Sequence, residues 1–376
     1  MDQELSPPDD YDNPAPKLGE GCALAGCDKT EELHRCSACK LFLYCTREHQ
    51  VKDRPAHKTT CTKIRKAREN LEKQKQALIN DPEFRNDNPF ENHVGRFWNL
   101  RETRPYMMAL SKLAQAFQNN HYRPALEAEL EVCMELLRLC PGDNMGVRET
   151  VPALFLRLNK DQECYDFVKW WATTAREGDY DWGTSDRYLN IKNADIFEPC
   201  DFINEKSLFG SLSLHACMMI LKIKLVLDLI KLRATQNSIE KMSANLCAEA
   251  GPPPEEVFME LKRGSCRSSA ILARPELLVE RNLTPKINSL RKQMDSLAES
   301  IDRQNKHYFP ALFGPDMDFG GDTMFTMGSP EQMRMALQNT WQAWVESTGT
   351  LSFMLLQREG ELDTHFNPDI TIHDGY

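Results

Sequence analysis

Apolar residues recur at helical rather than alternating spacing over most of the chain. From about Phe97 onward, YMMALSKLAQAFQ and PALEAELEVCMELLRLC place apolar side chains three and four positions apart, the separation that lines one face of a helix. A Pro141-Gly142-Asp143-Asn144 turn ends the second stretch, and GVRETVPALFLRLNKDQECYDFVKWW follows, with Pro152 placed to start or bend its helix. The most apolar run, Leu212 to Leu232, has Lys222, Lys224 and Asp228 in its middle. Each such charge costs about 2.5–3.5 kcal/mol at a bilayer centre, so the run reads as a buried core helix rather than a membrane span. Lys224, Asp228 and Lys231 recur at i, i+4 and i+7 and give it one wet edge. A long polar helix follows from about Pro285 to His307. Ser329-Pro330-Glu331-Gln332 then offers a capping box for a final helix, whose buried face is Leu337, Trp341, Trp344, Leu351 and Leu355. With no convincing alternating strand, residues 93–376 read as an all-α domain.

The leading part is patterned differently. Residues 1–19 carry four prolines, five acidic side chains and one basic one, and read as a disordered acidic Pro-rich tail. A block dense in Cys and His occupies 20–61. The stretch 62–80, without Gly or Pro, shows only a thin apolar line of Ile64, Ala67, Leu71 and Leu78, which predicts a mostly solvated helix leaving that block. Residues 81–92 are polar and broken twice by proline, so 62–92 reads as a basic helix and linker. Two loops stand out, Tyr180–Asn190 and Phe309–Gly328. The second holds Asp316, Asp318 and Asp322, but Gly320 and Met327 fall where a calcium loop needs ligands.

Composition adds limits rather than identity. Of 376 residues, 41% are hydrophobic and 27% charged, an ordinary balance for a globular chain, and the first twenty lack the apolar centre of a secretory signal. Thirteen cysteines without an export signal predict a reducing compartment, nucleus or cytoplasm. Seven of them, Cys133, Cys140, Cys164, Cys200, Cys217, Cys247 and Cys266, are scattered singly and read as small buried hydrophobes. The net charge of -10 makes a poor general binder of phosphate backbones, although residues 62–79 carry six basic and two acidic side chains.

The remaining cysteines carry the chemistry. Four ligand pairs lie within forty residues: Cys22 and Cys27, Cys36 and Cys39, Cys45 and His49, His57 and Cys61. Zinc takes four thiolate or imidazole ligands when its role is structural and three when it must keep an open position for catalysis. Eight ligands therefore make two closed sites, so no catalytic residue is expected there. Cys45/His49 and His57/Cys61 are each i, i+4, one turn apart on a helix face. Spacing alone leaves sequential and interleaved pairing both open. His34 falls outside the register and reads as a surface residue.

Cys22-x4-Cys27, Cys36-x2-Cys39, Tyr44-Cys45-x3-His49-Gln50 and His57-x3-Cys61 together resemble a MYND-type zinc finger over 22–61. The first pair is spaced by four residues where the family more often has two, and His49 stands where it usually has Cys. The resemblance implies interleaved pairing: Cys22, Cys27, Cys45 and His49 on one zinc, Cys36, Cys39, His57 and Cys61 on the other. Each Cys3His site then carries about -1, which Lys40, Arg47, Lys52, Arg54 and Lys58 are expected to balance in part. Metal binding worth about 10–16 kcal/mol per site would fold a block too small to do so alone. Chelation is accordingly expected to unfold 20–61 and leave the helical domain standing. Leu41, Phe42, Leu43 and Tyr44 form the apolar bridge between the sites.

Around the Pro141–Asn144 turn the chain also resembles one tetratricopeptide-type unit, an α-hairpin near 124–171, without a second copy. The finger's family implies a protein-interaction module that docks short proline-containing peptides. That implies an adaptor with a helical scaffold, with transcriptional regulation as one expected setting and no membrane or nucleic acid as partner. Two alternatives follow. Some MYND fingers sit inside SET lysine methyltransferases, but the SET sequence of Asn-His followed by Ser-Cys is not found, Asn92-His93 continuing as Val94-Gly95, and 21 residues precede the finger. A SET-less relative, not an enzyme, fits better. The other is nucleic-acid binding through the basic helix 62–79.

Overall fold

The computed structural model describes residues 7–13, 18–177, 180–182, 186–203, 211–246, 254–314 and 324–359. The chain divides into two compact units: Lys17–Leu158 with Trp170–Lys192, and Met1–Pro16 with Asn159–Lys169 and Asn193–Tyr376.

The first unit holds the Cys/His block. Strands β1 (His34–Arg35) and β2 (Leu43–Tyr44) pair antiparallel and are the only strands among the described residues. Helix α1 (Arg47–Ile79) begins inside the block, capped by the Thr46 hydroxyl on the His49 N–H at 3.2 Å, and runs on through Pro55 for 33 residues. The division expected at 61/62 thus falls within one helix. The short α2 (Pro89–Asn92) leads to α3 (Arg104–Phe117) and α4 (Arg123–Leu139), each with proline at its start, where the missing N–H costs nothing. The thin apolar line of 62–80 is not a solvated face. Ile64 is fully buried and Ala67 and Leu71 pack into a cluster with Leu113, Ala116 and Phe117 of α3.

After α4, Asp143 sits at φ 55° and its buried carboxylate accepts the N–H groups of Val147 (2.9 Å) and Arg148 (3.0 Å), turning the chain into α5 (Val151–Arg157). Pro152 starts this helix rather than bending it. The second arm of the expected hairpin breaks at Asn159, φ 56°, so α5 is followed by a separate α6 (Asp161–Ala172). Tyr180–Asn190 contains no helix or strand among its described residues.

The second unit is built along α7 (Leu212–Leu246), with α8 (Glu255–Gly264), α9 (Ser269–Leu272), α10 (Pro275–Val279), α11 (Thr284–Gln304), α12 (Tyr308–Leu312), α13 (Pro330–Glu346) and α14 (Thr350–Glu359). Helices α11, α13 and α14 pack on α7. The expected wet edge of α7 is instead a row of partnered charges. Lys224 pairs with Asp161 at 2.5 Å, Asp228 is buried at 1% exposure and Lys231, partly exposed, pairs with Asp12 at 2.6 Å; Lys222, off that row and fully buried, donates to the Ile196 carbonyl at 2.6 Å. Buried charge is tolerated where such partners are supplied. The final helix is two helices. The Ser329 hydroxyl caps the Gln332 N–H as expected, but α13 ends at Glu346 and Gly349, φ 79°, turns the chain into α14. Leu337 and Trp344 are buried, whereas Phe353 and Met354, not Leu351 and Leu355, are the buried residues of α14.

Cys133, Cys140, Cys164, Cys200, Cys217 and Cys266 are all buried free thiols, as read from sequence; Cys247 lies outside the described residues. So do Asp316, Asp318 and Asp322 of the rejected calcium loop. Residues 7–13 of the expected disordered tail are ordered, with Asp9–Asp12 forming a 3-10 turn.

Candidate metal centre

Three local devices position the eight side chains. A loop holds Cys22 and Cys27: the Cys22 N–H donates to the Lys29 carbonyl at 2.8 Å and the Cys27 N–H to Leu24 at 3.0 Å, with Gly26 at φ 79°. The approach is close enough to require glycine at 21, where a Cβ would stand 2.3 Å from the Lys29 carbonyl oxygen. The β1–β2 hairpin, in register His34 with Tyr44 and Arg35 with Leu43, presents Cys36 and Cys39 on its turn, closed by Lys40 N–H to the Cys36 carbonyl at 2.8 Å with Lys40 at φ 56°. Cys45 follows β2, and α1 carries His49, His57 and Cys61 at helical spacing. His34, on β1, is exposed and belongs to neither group.

These side chains gather as two interleaved groups, Cys22, Cys27, Cys45 and His49, and Cys36, Cys39, His57 and Cys61, with ligand atoms in each within 4.8 Å of one another. Two sulfurs each about 2.3 Å from one tetrahedral zinc stand about 3.8 Å apart, and a sulfur and an imidazole nitrogen about 3.6 Å apart. The Cys27–Cys45 and Cys36–Cys61 sulfurs are each 3.8 Å apart. His49 Nδ1 lies 3.5 Å from Cys22 Sγ and 3.2 Å from Cys45 Sγ, and His57 Nε2 lies 3.7 Å from Cys39 Sγ. A disulfide would need about 2.05 Å. The donor set and its edges fit a closed tetrahedral ion in each group, leaving no open position for a substrate or water.

The electrostatics agree with that fit. Burial would raise the Cys36 thiol, but the Cys39 and Ala38 N–H groups and His57 lower it to about 6. In the same group Cys61 is raised to about 12 by burial and by the neighbouring Cys39 and Cys36. The other group repeats the split: against burial, hydrogen bonding lowers Cys22 to about 7, whereas burial and the neighbours Cys27 and Cys22 raise Cys45 to about 11. Crowded thiols cannot all ionise unaided; a dication at the centre removes that repulsion. His57 is buried, which lowers its pKa, but Cys39 and Cys36 raise it by more.

Two residues were not foreseen from sequence. Tyr122, immediately before α4, accepts the Leu43 N–H at 3.2 Å and donates to the Gly21 carbonyl at 2.9 Å. Its ring stacks on Phe42 at 5.1 Å and 4°, and Phe42 meets His57 edge-on at 4.5 Å. Leu41 and Tyr44 are buried beside the sulfurs, and Phe42, through its ring, and Leu43, through its backbone N–H, are the members of the expected apolar bridge that reach Tyr122. Second, the five cations expected to balance the sites, Lys40, Arg47, Lys52, Arg54 and Lys58, all lie in solvent. The cation held at the buried group is Arg68, half-buried over the Phe117 ring at 5.5 Å, its pKa lowered by burial and raised by Cys39. Arg68 follows Cys61 and Ile64 at i+7 and i+4, so helical phase was the available signal for it.

Residues 22–61 match the family model of the MYND finger. Comparison with curated proteins and with solved structures gives no match. The finger is a protein-interaction module, and its two Cys3His groups are compatible with two structural zinc ions. No helix among the described residues is long and apolar enough to cross a membrane.

Proposed function

We propose that this chain, with a MYND finger at 22–61 as premise, is a zinc-dependent adaptor without catalytic activity, whose finger docks a short proline-containing partner peptide while the helices serve as scaffold. The observation that carries the reading is the pair of closed four-ligand groups. Cys22, Cys27, Cys45 and His49 would hold one zinc and Cys36, Cys39, His57 and Cys61 the other, both serving to shape a surface rather than to activate water. Docking to α3 and Tyr122 supports the scaffold role, because it presents the finger on a fixed base. Transcriptional regulation is the setting inferred from the finger's family.

The test is affinity purification with the intact chain and with a Cys36→Ser, Cys39→Ser variant. Loss of a defined set of partners, with proline-containing segments among the recovered binding regions, is the expected result; an unchanged set refutes the adaptor reading. Nucleic-acid binding through 62–79 has less support. Lys63 donates to the Gln115 carbonyl at 2.9 Å, Arg65 pairs with Glu69 at 2.6 Å and Arg68 is half-buried, so half of the basic side chains there are engaged within the unit.

A further inference from the structure

The 3-10 turn Asp9–Asp12 is closed by the Tyr11 N–H on the Pro8 carbonyl at 2.9 Å and the Asn13 N–H on Asp10 at 3.1 Å. Such a segment cannot bury a core of its own, yet Tyr11 is 3% exposed. Its surroundings come from the far end of the chain. Tyr11 Oη donates to Asp228 Oδ1 at 2.5 Å, while Asp228 Oδ2 accepts the backbone N–H groups of Arg267 (2.9 Å) and Ser268 (2.7 Å). The phenol completes the donor set of a carboxylate that is 1% exposed and could not stay there unpaired.

The neighbours of Tyr11 are recognised as well. Ser352 Oγ donates to Asp10 Oδ2 at 2.6 Å, and Lys231 Nζ to Asp12 Oδ2 at 2.6 Å. Arg267 lies over the Tyr11 ring at 4.7 Å, and its Nη2 donates to the Asn13 carbonyl at 2.8 Å. Gly349, at φ 79°, brings backbone against the ring; a Cβ there would lie 3.2 Å from Tyr11 Cβ. Four consecutive residues, 10 to 13, are thus each met by a different complementary group. That is how a peptide is read by a receptor, rather than how a chain end covers a core.

We infer that the unit built along α7 carries a peptide-binding seat for an acidic Asp-Tyr-Asp segment with an unmodified phenol, and that residues 10–13 fill it in cis. The seat is separate from the finger and uses none of its ligands. Phosphotyrosine is excluded, because a phosphate on Oη would meet a buried carboxylate at hydrogen-bond distance. Because segment and seat belong to one chain, their association is intramolecular, so a competing peptide sees the seat as filled.

The test uses a fluorescein-labelled peptide of residues 7–13, Pro-Pro-Asp-Asp-Tyr-Asp-Asn, titrated by polarisation against the full chain and its Tyr11→Ala variant. The Tyr11→Ala chain is expected to bind it at least about tenfold tighter than the wild-type chain. The same peptide with Phe for Tyr should bind that variant about ten- to a hundredfold more weakly, having lost a hydrogen bond to a charged acceptor. The phosphotyrosine peptide should show no saturable binding. Failure of the peptide to bind the Tyr11→Ala chain, or equal affinity of the tyrosine and phosphotyrosine peptides, overturns the inference. Hydrogen exchange on the wild-type chain needs no variant: residues 9–13 should be protected and open at lower denaturant than α7. No protection, or opening in step with α7, overturns it equally.

Discussion

Replacing Tyr122 with Phe removes a single oxygen and asks whether the finger and the helices beneath it form one cooperative body. The ring remains, and with it the stack on Phe42 at 5.1 Å. What is lost is the hydroxyl that accepts the Leu43 N–H at 3.2 Å and donates to the Gly21 carbonyl at 2.9 Å. Each hydrogen bond is worth about 0.5–1.5 kcal/mol net, and partners left unsatisfied in a partly buried place add to that, giving about 2–3 kcal/mol for the pair. Gly21 directly precedes Cys22 and Leu43 lies two residues before Cys45, so the loss falls on the group Cys22, Cys27, Cys45 and His49. Where folding and metal binding are coupled, a folded state weaker by that amount binds zinc about thirty- to a hundred-and-fifty-fold more weakly. Competition with a chromophoric chelator reads this directly: in Tyr122→Phe one of the two zinc equivalents should leave at correspondingly lower chelator, the other near its wild-type position. Two equivalents leaving as in the wild type, with an unchanged melting temperature, would refute the coupling.

Chelation itself should reach further than the 20–61 read from sequence. Leu113, Ala116, Phe117, Tyr122 and Ala125 share one buried cluster with Cys22, Cys36 and Cys39, so hydrogen exchange should rise across 113–125 as well; a rise confined to 20–61 would restore the narrower extent. Glu129, 2% exposed in α4, is pushed up to about 7 by burial, with Arg157 and Lys63 pulling it down. The folded state therefore binds more protons than the unfolded one between the ordinary carboxylate range and pH 7. The stability linked to this group is full below that range and declines by about 3 kcal/mol as pH rises through 7. Glu129→Gln should flatten that part of the difference between urea denaturation at pH 5 and pH 8, and a difference unchanged from the wild type refutes the assignment.

What was legible in the sequence was local. The ligand pairs declare themselves because each is set by a turn or by helical spacing, and the Ser329 cap because all its parts lie within four residues. What escaped was long-range. Nothing near Tyr122 marks it as a partner of Leu43, 79 positions away. The charges of α7 looked like a wet edge because their partners, Asp161 and Tyr11 among them, lie 63 and 217 positions off. The stretch after Cys61 looked solvated because four apolar residues are few; they suffice because three of them, Ile64, Ala67 and Leu71, pack into one cluster with α3. Proline-rich acidic composition read as disorder for residues 7–13, since composition cannot report a receptor for the one tyrosine among them.

His57, Cys61, Ile64, Arg68 and Leu71 form one stripe along α1, and each added residue turns a helix by about 100°. One inserted residue between Cys61 and Ile64 would leave the zinc ligands and the α3-facing residues pointing in different directions. The spacer between metal and core therefore has a fixed length, unlike a linker, which tolerates insertion. A finger excised at its last ligand loses the phase reference that orients it, and a graft meant to carry the module intact has its natural cut beyond Ile79, where the helix ends.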